Sequence, residues 1–217
     1  MAFTPPDIRN RIEQARREGW AELDLSGNPV YGSCLFEFPQ EILQLSALER
    51  LVLRNNRITF IPEELRQLPA LRRIDLRGNP LKSLPDMPGL VLDEKDYLRL
   101  QPRLSPAHIA GLRLRLARRE LPAYLKELPG LYFLDLSGNY AVGLPSEIGK
   151  LEQLRELELR NNLLTCLPDF LGNFEHLTSL DVSGNQLTSL PDFLGNFEHL
   201  TSLDVGGNQL TSLPDFL

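Results

Sequence analysis

Apolar and polar residues along this chain follow one pattern, L-x-x-L-x-L-x-x-N and then L-x-x-L-P, and the pattern returns every 23 residues. Clean copies run through Leu48/Leu51/Leu53/Asn56, Leu71/Ile74/Leu76/Asn79, Leu131/Leu134/Leu136/Asn139 and Leu154/Leu157/Leu159/Asn162, and two more begin at Leu177 and Leu200. An earlier copy starts at Trp20 and is stretched by five residues, which reads as a surface insertion around Tyr31 to Phe36. Residues 167–189 recur at 190–212 with one change in 23 positions, Ser183 to Gly206, the mark of a recent duplication or of engineering. A fixed period means that each unit is one supersecondary element that buries its apolar face only against its neighbours.

Within the unit, L-x-L alternates at period two and predicts a short strand, with leucines pointing inward and the residues between them facing solvent. The Asn that closes each strand can both donate and accept through its amide, which suits a buried turn whose peptide groups need partners, and stacked copies would form a ladder. Downstream, L-P-x-x-[IL]-x-x-[LF] puts Pro at the first turn of a short helical or 3-10 stretch, with Pro62, Leu65 and Leu68 at helical spacing.

With period, register and Asn shared by six clean units, residues 20–217 resemble the leucine-rich repeat family, in its 23-residue cytoplasmic form. Similar arrays occur in bacterial multidomain proteins, including Roco GTPases, and in Ras-binding scaffold proteins. The resemblance implies an α/β solenoid, a right-handed horseshoe with parallel strands on its concave face and short helical or 3-10 segments on its convex side. It also implies protein binding on the concave strands, without naming a partner.

The ends and one internal break depart from the period. Thr4 as cap, Pro5 at the first helical position and Asp7 predict a helix over 5–18, with Ile8, Ile12 and Ala15 on one face and Gly19 ending it. Residues 1–19 therefore read as an N-terminal capping helix over the first leucine layer. Its Arg9, Arg16 and Arg17 would also suit a membrane surface, but Glu13 and Glu18 interrupt them, and the cap is favoured. Residues 20–217 read as one repeat domain of about eight units, with an insertion at 86–107 holding a short helix around 94–100, a degenerate unit at 109–130, and a truncated last repeat. In the degenerate unit Ile109, Leu112 and Leu114 mimic the strand and Ala117 replaces the Asn; Ser105-Pro106 could equally open a helix there, and the strand is favoured. After Leu217 an apolar layer would stand open, to be covered by further chain or by a second molecule, as in a homodimer through this end.

Composition narrows the classes. No apolar run is long enough to span a bilayer and no apolar signal segment follows the first Met, so neither a membrane span nor secretion is expected. Two cysteines, Cys34 and Cys166, stand in different repeats, and the cysteine-clustered caps of extracellular family members are missing, which points to a reducing, cytoplasmic setting. The net charge of -6 is concentrated beyond residue 162, where seven acids meet no Lys or Arg, and no basic stripe exists to neutralise phosphates; nucleic acid is not an expected partner.

Candidate binding positions lie between the inward leucines. One outward column holds Asp24, Val52, Asp75, Arg113, Asp135, Glu158, Asp181 and Asp204; the next holds Ser26, Arg54, Arg77, Arg115, Ser137, Arg160, Ser183 and Gly206. With Arg50, Arg72 and Arg73 added, the middle of the face is arginine-rich beside an acidic column. That composition suits bidentate carboxylate recognition, or else charges that pair locally between strands. Tyr132 and Phe133 fall at outward positions and read either as an aromatic hot spot or as packing for the 86–107 insertion. Phe170, Phe193 and Phe216 recur on the convex side, where packing between repeats is the favoured account.

Enzyme signatures are missing from the sequence. Gly143-x5-Gly149-Lys150 is one residue too long for a P-loop and Leu151 replaces its Ser/Thr. His176 and His199 are one position copied by duplication, with no metal-ligand spacing beside them. The expected function is non-enzymatic, with no cofactor and no metal: binding of a protein or peptide through Arg50, Arg54, Arg73, Arg77, Arg113, Arg115, Tyr132, Phe133 and Arg160. Two alternatives remain open: the targeting domain of a larger GTPase or effector ligase, and an engineered or self-associating repeat protein.

Overall fold

The computed structural model describes residues 6–28, 34–100, 103–114 and 122–214. The chain divides into two compact units, Met1–Ala110 and Gly111–Leu217. In the first, helix α1 (Pro6–Glu18) precedes strands β1 (Glu22–Asp24), β2 (Arg50–Val52), β3 (Arg73–Asp75) and β4 (Leu90–Asp93), and helix α2 (Glu94–Leu100) follows. These strands pair in parallel in sequence order, with Leu23, Leu51, Ile74 and Leu90 in register. In the second unit β5 (Ile109–Arg113) pairs through residues 111–113 with β6 (Phe133–Asp135), and β7 (Glu156–Glu158), β8 (Ser179–Asp181) and β9 (Ser202–Asp204) continue the stack.

Each unit is an α/β solenoid of the expected kind. Short strands point an apolar residue inward, and Leu23, Leu51, Ile74, Leu112, Leu134, Leu157 and Leu180 are buried. Five-residue 3-10 segments return the chain on the opposite side: Gln40–Gln44 and Glu63–Gln67 in the first unit; Ala123–Glu127, Ser146–Lys150, Asp169–Asn173 and Asp192–Asn196 in the second. The repeat proline stands one residue before each segment in extended backbone, as at Pro62 (φ -70°, ψ 145°), so it ends the preceding run instead of occupying the first turn. Ile42, Leu65, Ile148 and Leu171 drive these segments together by burying their side chains.

Helix α1 forms where the apolar spacing predicts it and buries Ile12 and Ala15; Arg16 donates to Gln44 at 3.2 Å on the neighbouring 3-10 segment. Thr4 and Pro5 lie outside the described residues, as do Tyr31, Ala117, Phe216 and the first half, 31–33, of the expected insertion around 31–36.

The expectation of an insertion over 86–107 is corrected. Residues 90–93 form β4, a full member of the first unit's sheet, and α2 follows it directly, at the place where Asn79 closes the preceding strand. Sixteen residues separate Ile74 from its partner Leu90, against 23 between Leu51 and Ile74, because the chain goes from Pro85 to the strand without a convex segment. Gly89 makes this short path feasible: its φ of +82° is left-handed, and a Cβ there would strike the Arg72 carbonyl. The alternatives left open for 105–114 both hold in part, since a 3-10 turn (Pro106–His108) leads directly into β5.

Candidate functional site

On the strand face of the first unit the arginines sort by depth. Arg73 and Arg77 are buried. Arg77 grips Asp75 with two near-parallel bonds, Nη2 to Oδ2 at 2.6 Å and Nε to Oδ1 at 2.9 Å, and its backbone N–H adds a third at 3.2 Å. Arg50 and Arg54 are half-exposed: the Arg50 guanidinium stands 3.7 Å from Glu22 Oε1, and Arg54 Nε donates to Ser26 Oγ at 3.3 Å. Below β3, Asp93 occupies the same outward register as an arginine elsewhere and accepts the Gly78 N–H at 2.6 Å.

The second unit repeats the motif with different partners. Arg160, half-exposed, lies between two strands' carboxylates, with Nη2 2.8 Å from Glu158 and Nε 3.3 Å from Asp181. Burial works against its charge, but Glu158 first, then Asp181 and Asp135, outweigh that and hold the guanidinium above its ordinary pKa. Arg113 lies 3.5 Å from the buried Asp135. Tyr132 is half-buried. Local pairing between strands, one of the two readings of these columns, is therefore what the geometry contains at Arg113 and Arg160, while Arg77 pairs with Asp75 of its own turn. Arg115 lies outside the described residues.

Phe133 is not exposed, contrary to expectation: it is 1% accessible. Its register partner on β5 is Gly111, and a Cβ at that position would collide with the Phe133 ring, so the ring fills the space left by a missing side chain. The sequence carried this signal in Gly111, two residues before Arg113, where the strands on its C-terminal side carry Phe133, Glu156, Ser179 and Ser202.

Behind the face, the strand-closing asparagines hold the turns together. Asn162 donates to the carbonyls of Leu159 (2.8 Å) and Leu136 (3.0 Å) and accepts from the Asn139 and Ala141 N–H groups, both at 3.0 Å. Asn56, Asn79, Asn185 and Asn208 bond likewise to their own and the preceding turn. The ladder thus runs from side chain to neighbouring backbone, which fixes the outward residues in place.

The Asp86–His108 pair lies away from this face. Asp86 accepts the Ser105 N–H at 2.8 Å and faces His108 Nδ1 at 2.9 Å. Burial pushes its pKa up, but the Ser105 N–H, His108 and Arg66 outweigh it, and the carboxyl sits below its usual range. A depressed carboxyl stabilises the fold above its unfolded pKa and loses that contribution as pH falls through the folded one. Asp86→Asn should therefore be less stable than wild type near neutrality, by under about 1 kcal/mol for so accessible a pair. The gap should close below about pH 4, as followed by urea titrations at several pH values; a gap constant from pH 7 to 2 would refute the assignment.

Among the described residues, no group of His, Cys, Asp and Glu could hold a metal ion, and no helix is long and apolar enough to cross a membrane. Cys34 is buried and Cys166 exposed, both as free thiols. Lys150, in the stretch that loosely resembles a P-loop, ends the 3-10 segment Ser146–Lys150, with no helix N-terminus for a phosphate.

The chain belongs to the leucine-rich repeat family: it matches the family described as leucine rich repeat over residues 32–81 and 129–187, and the two-copy form over 175–217. Among solved structures it is similar to a leucine-rich repeat protein of Leptospira interrogans, at 30% identity and a TM-score of 0.49 over 89% of this chain. The chain spans half the length of that protein. It is also similar to an internalin of Listeria monocytogenes (20% identity, TM-score 0.42, 95% of this chain and 79% of that one). A third similarity is to a structure of the Drosophila Toll–Spatzle complex (25% identity, TM-score 0.42, 80% of this chain and 29% of that one). No curated protein matches the chain.

Proposed function

We propose that this chain is a non-enzymatic, cytoplasmic recognition module that binds a protein or peptide through its outward strand residues. The observation that carries this reading is the graded burial of the arginines in the first unit. Arg73 and Arg77 are sunk into the face, Arg77 on Asp75, and act as its floor; Arg50 and Arg54 are only half-buried on the strands above it. Strands held by the leucine core and the asparagine bonds lose little freedom on binding, so contacts made there convert efficiently to affinity. Arginine is favoured in such contacts because its planar fork matches a carboxylate. In the second unit Arg113, Arg160 and the half-buried Tyr132 offer the same chemistry.

The test is retention of partners from source-cell lysate by immobilised wild type and by Arg50→Glu/Arg54→Glu, compared by quantitative mass spectrometry. Both side chains are partly solvent-exposed, so the variant should keep its thermal stability. Loss of about 2 kcal/mol for a hot-spot pair corresponds to roughly thirtyfold weaker binding. An unchanged set of retained proteins would remove these two arginines from the function.

A further inference from the structure

The side of the second unit opposite its strands carries a repeated joint that is missing once. Phe170, second residue of Asp169–Asn173, packs its ring on Gly149 of the preceding segment: a Cβ added to Gly149 would lie 3.2–3.5 Å from the Phe170 side chain. Phe193 packs on Gly172 in the same way, again at 3.2–3.5 Å. Between Ala123–Glu127 and Ser146–Lys150 the equivalent residues are Glu147 in place of the ring and Lys126 in place of the glycine.

Where the ring is missing there is an apolar groove of about 400 Å³. Pro122, Leu125, Leu128 and Leu131 line it, and Leu151, at the position filled by the buried Phe174 one repeat later, is only half-buried. Among its described lining residues, Glu147 and Glu152 stand against Lys150, which gives these residues an excess of negative charge. The volume lies within the range of sites that hold organic groups.

We propose that this groove docks a segment of a partner protein by taking up one aromatic side chain flanked by Lys or Arg. The molecule supplies the template for the occupant, since a phenylalanine ring packs against the glycine of the preceding segment in the next two joints of the stack. Aromatic rings bring large contact area at small entropic cost, and flanking cations meet the acidic rim. The site is separate from the strand-face arginines and does not depend on their role.

The experiment is a titration of the full chain, carrying methyl-labelled leucines, with three blocked peptides: Lys-Phe-Lys, Lys-Ala-Lys and Glu-Phe-Glu. The Leu125, Leu128 and Leu151 methyls should shift saturably with Lys-Phe-Lys and at least tenfold more weakly with the other two. Glu147→Phe/Lys126→Gly, which rebuilds the joint of the later repeats, should abolish the shifts. Glu152→Lys, at an exposed position, should weaken Lys-Phe-Lys at least threefold and keeps the test sound if the rebuilt joint does not fold. No shift at these methyls, equal response to Phe and Ala peptides, equal response to Lys and Glu flanks, or shifts that survive both variants would each overturn the proposal.

Discussion

Asn162→Ala is expected to lower the unfolding free energy by about 4 kcal/mol, near the top of the range for single substitutions. The side chain is 4% accessible and serves four backbone groups on two turns: the Leu136 and Leu159 carbonyls and the Asn139 and Ala141 N–H groups. Alanine leaves these groups buried without their partner, and each unsatisfied group costs about 1–3 kcal/mol before water or local relaxation recovers part of it. Because each turn of a solenoid contacts only its neighbours, the loss should also uncouple the turns on either side and lower the urea m-value. Asn196→Ala, at an exposed position on the opposite side, should stay within about 0.5 kcal/mol. If urea titrations gave the two variants similar stabilities, the asparagine bonds would not be what joins the turns.

Asp75→Ala is expected to cost about 3 kcal/mol, because it strips the bidentate partner from an arginine that is 5% accessible. The companion Asp75→Leu/Arg77→Met removes both charges and fills the space, and it should recover most of the loss, since a buried ion pair is often no more stabilising than apolar residues of similar volume. A double variant as unstable as the single one would mean that the pair itself stabilises this face. That pattern in denaturant midpoints would contradict the assignment of Arg77 to the floor.

Both effects trace to positions whose residue type was visible in the sequence but whose depth was not. The period, the inward leucines and the role of the Asn were readable because a 23-residue repeat restates each constraint several times. β4 was missed because it departs from the period: the step to Leu90 omits a convex segment, and α2 replaces the usual Asn turn, so only the left-handed Gly89 hinted at the shortcut. The binding face was readable as columns of residue types, but not as layers. Period two assigns Phe133 to the outward side of β6, and only the neighbouring Gly111, a contact distant in sequence, explains why the ring is buried there. The groove beside Leu151 was hidden for the converse reason, since it lies at a joint that lacks the ring the next two repeats possess.

The most direct test of strand-face recognition is site-specific photo-crosslinking in source cells, with the photoreactive residue at Arg54 in one variant and at Gln67, exposed on the opposite side of the same unit, in another. Recognition through the strands predicts one dominant protein adduct from position 54, with none of that protein from position 67. The same protein captured from position 67 and not from position 54 would place binding on the opposite side and contradict the account.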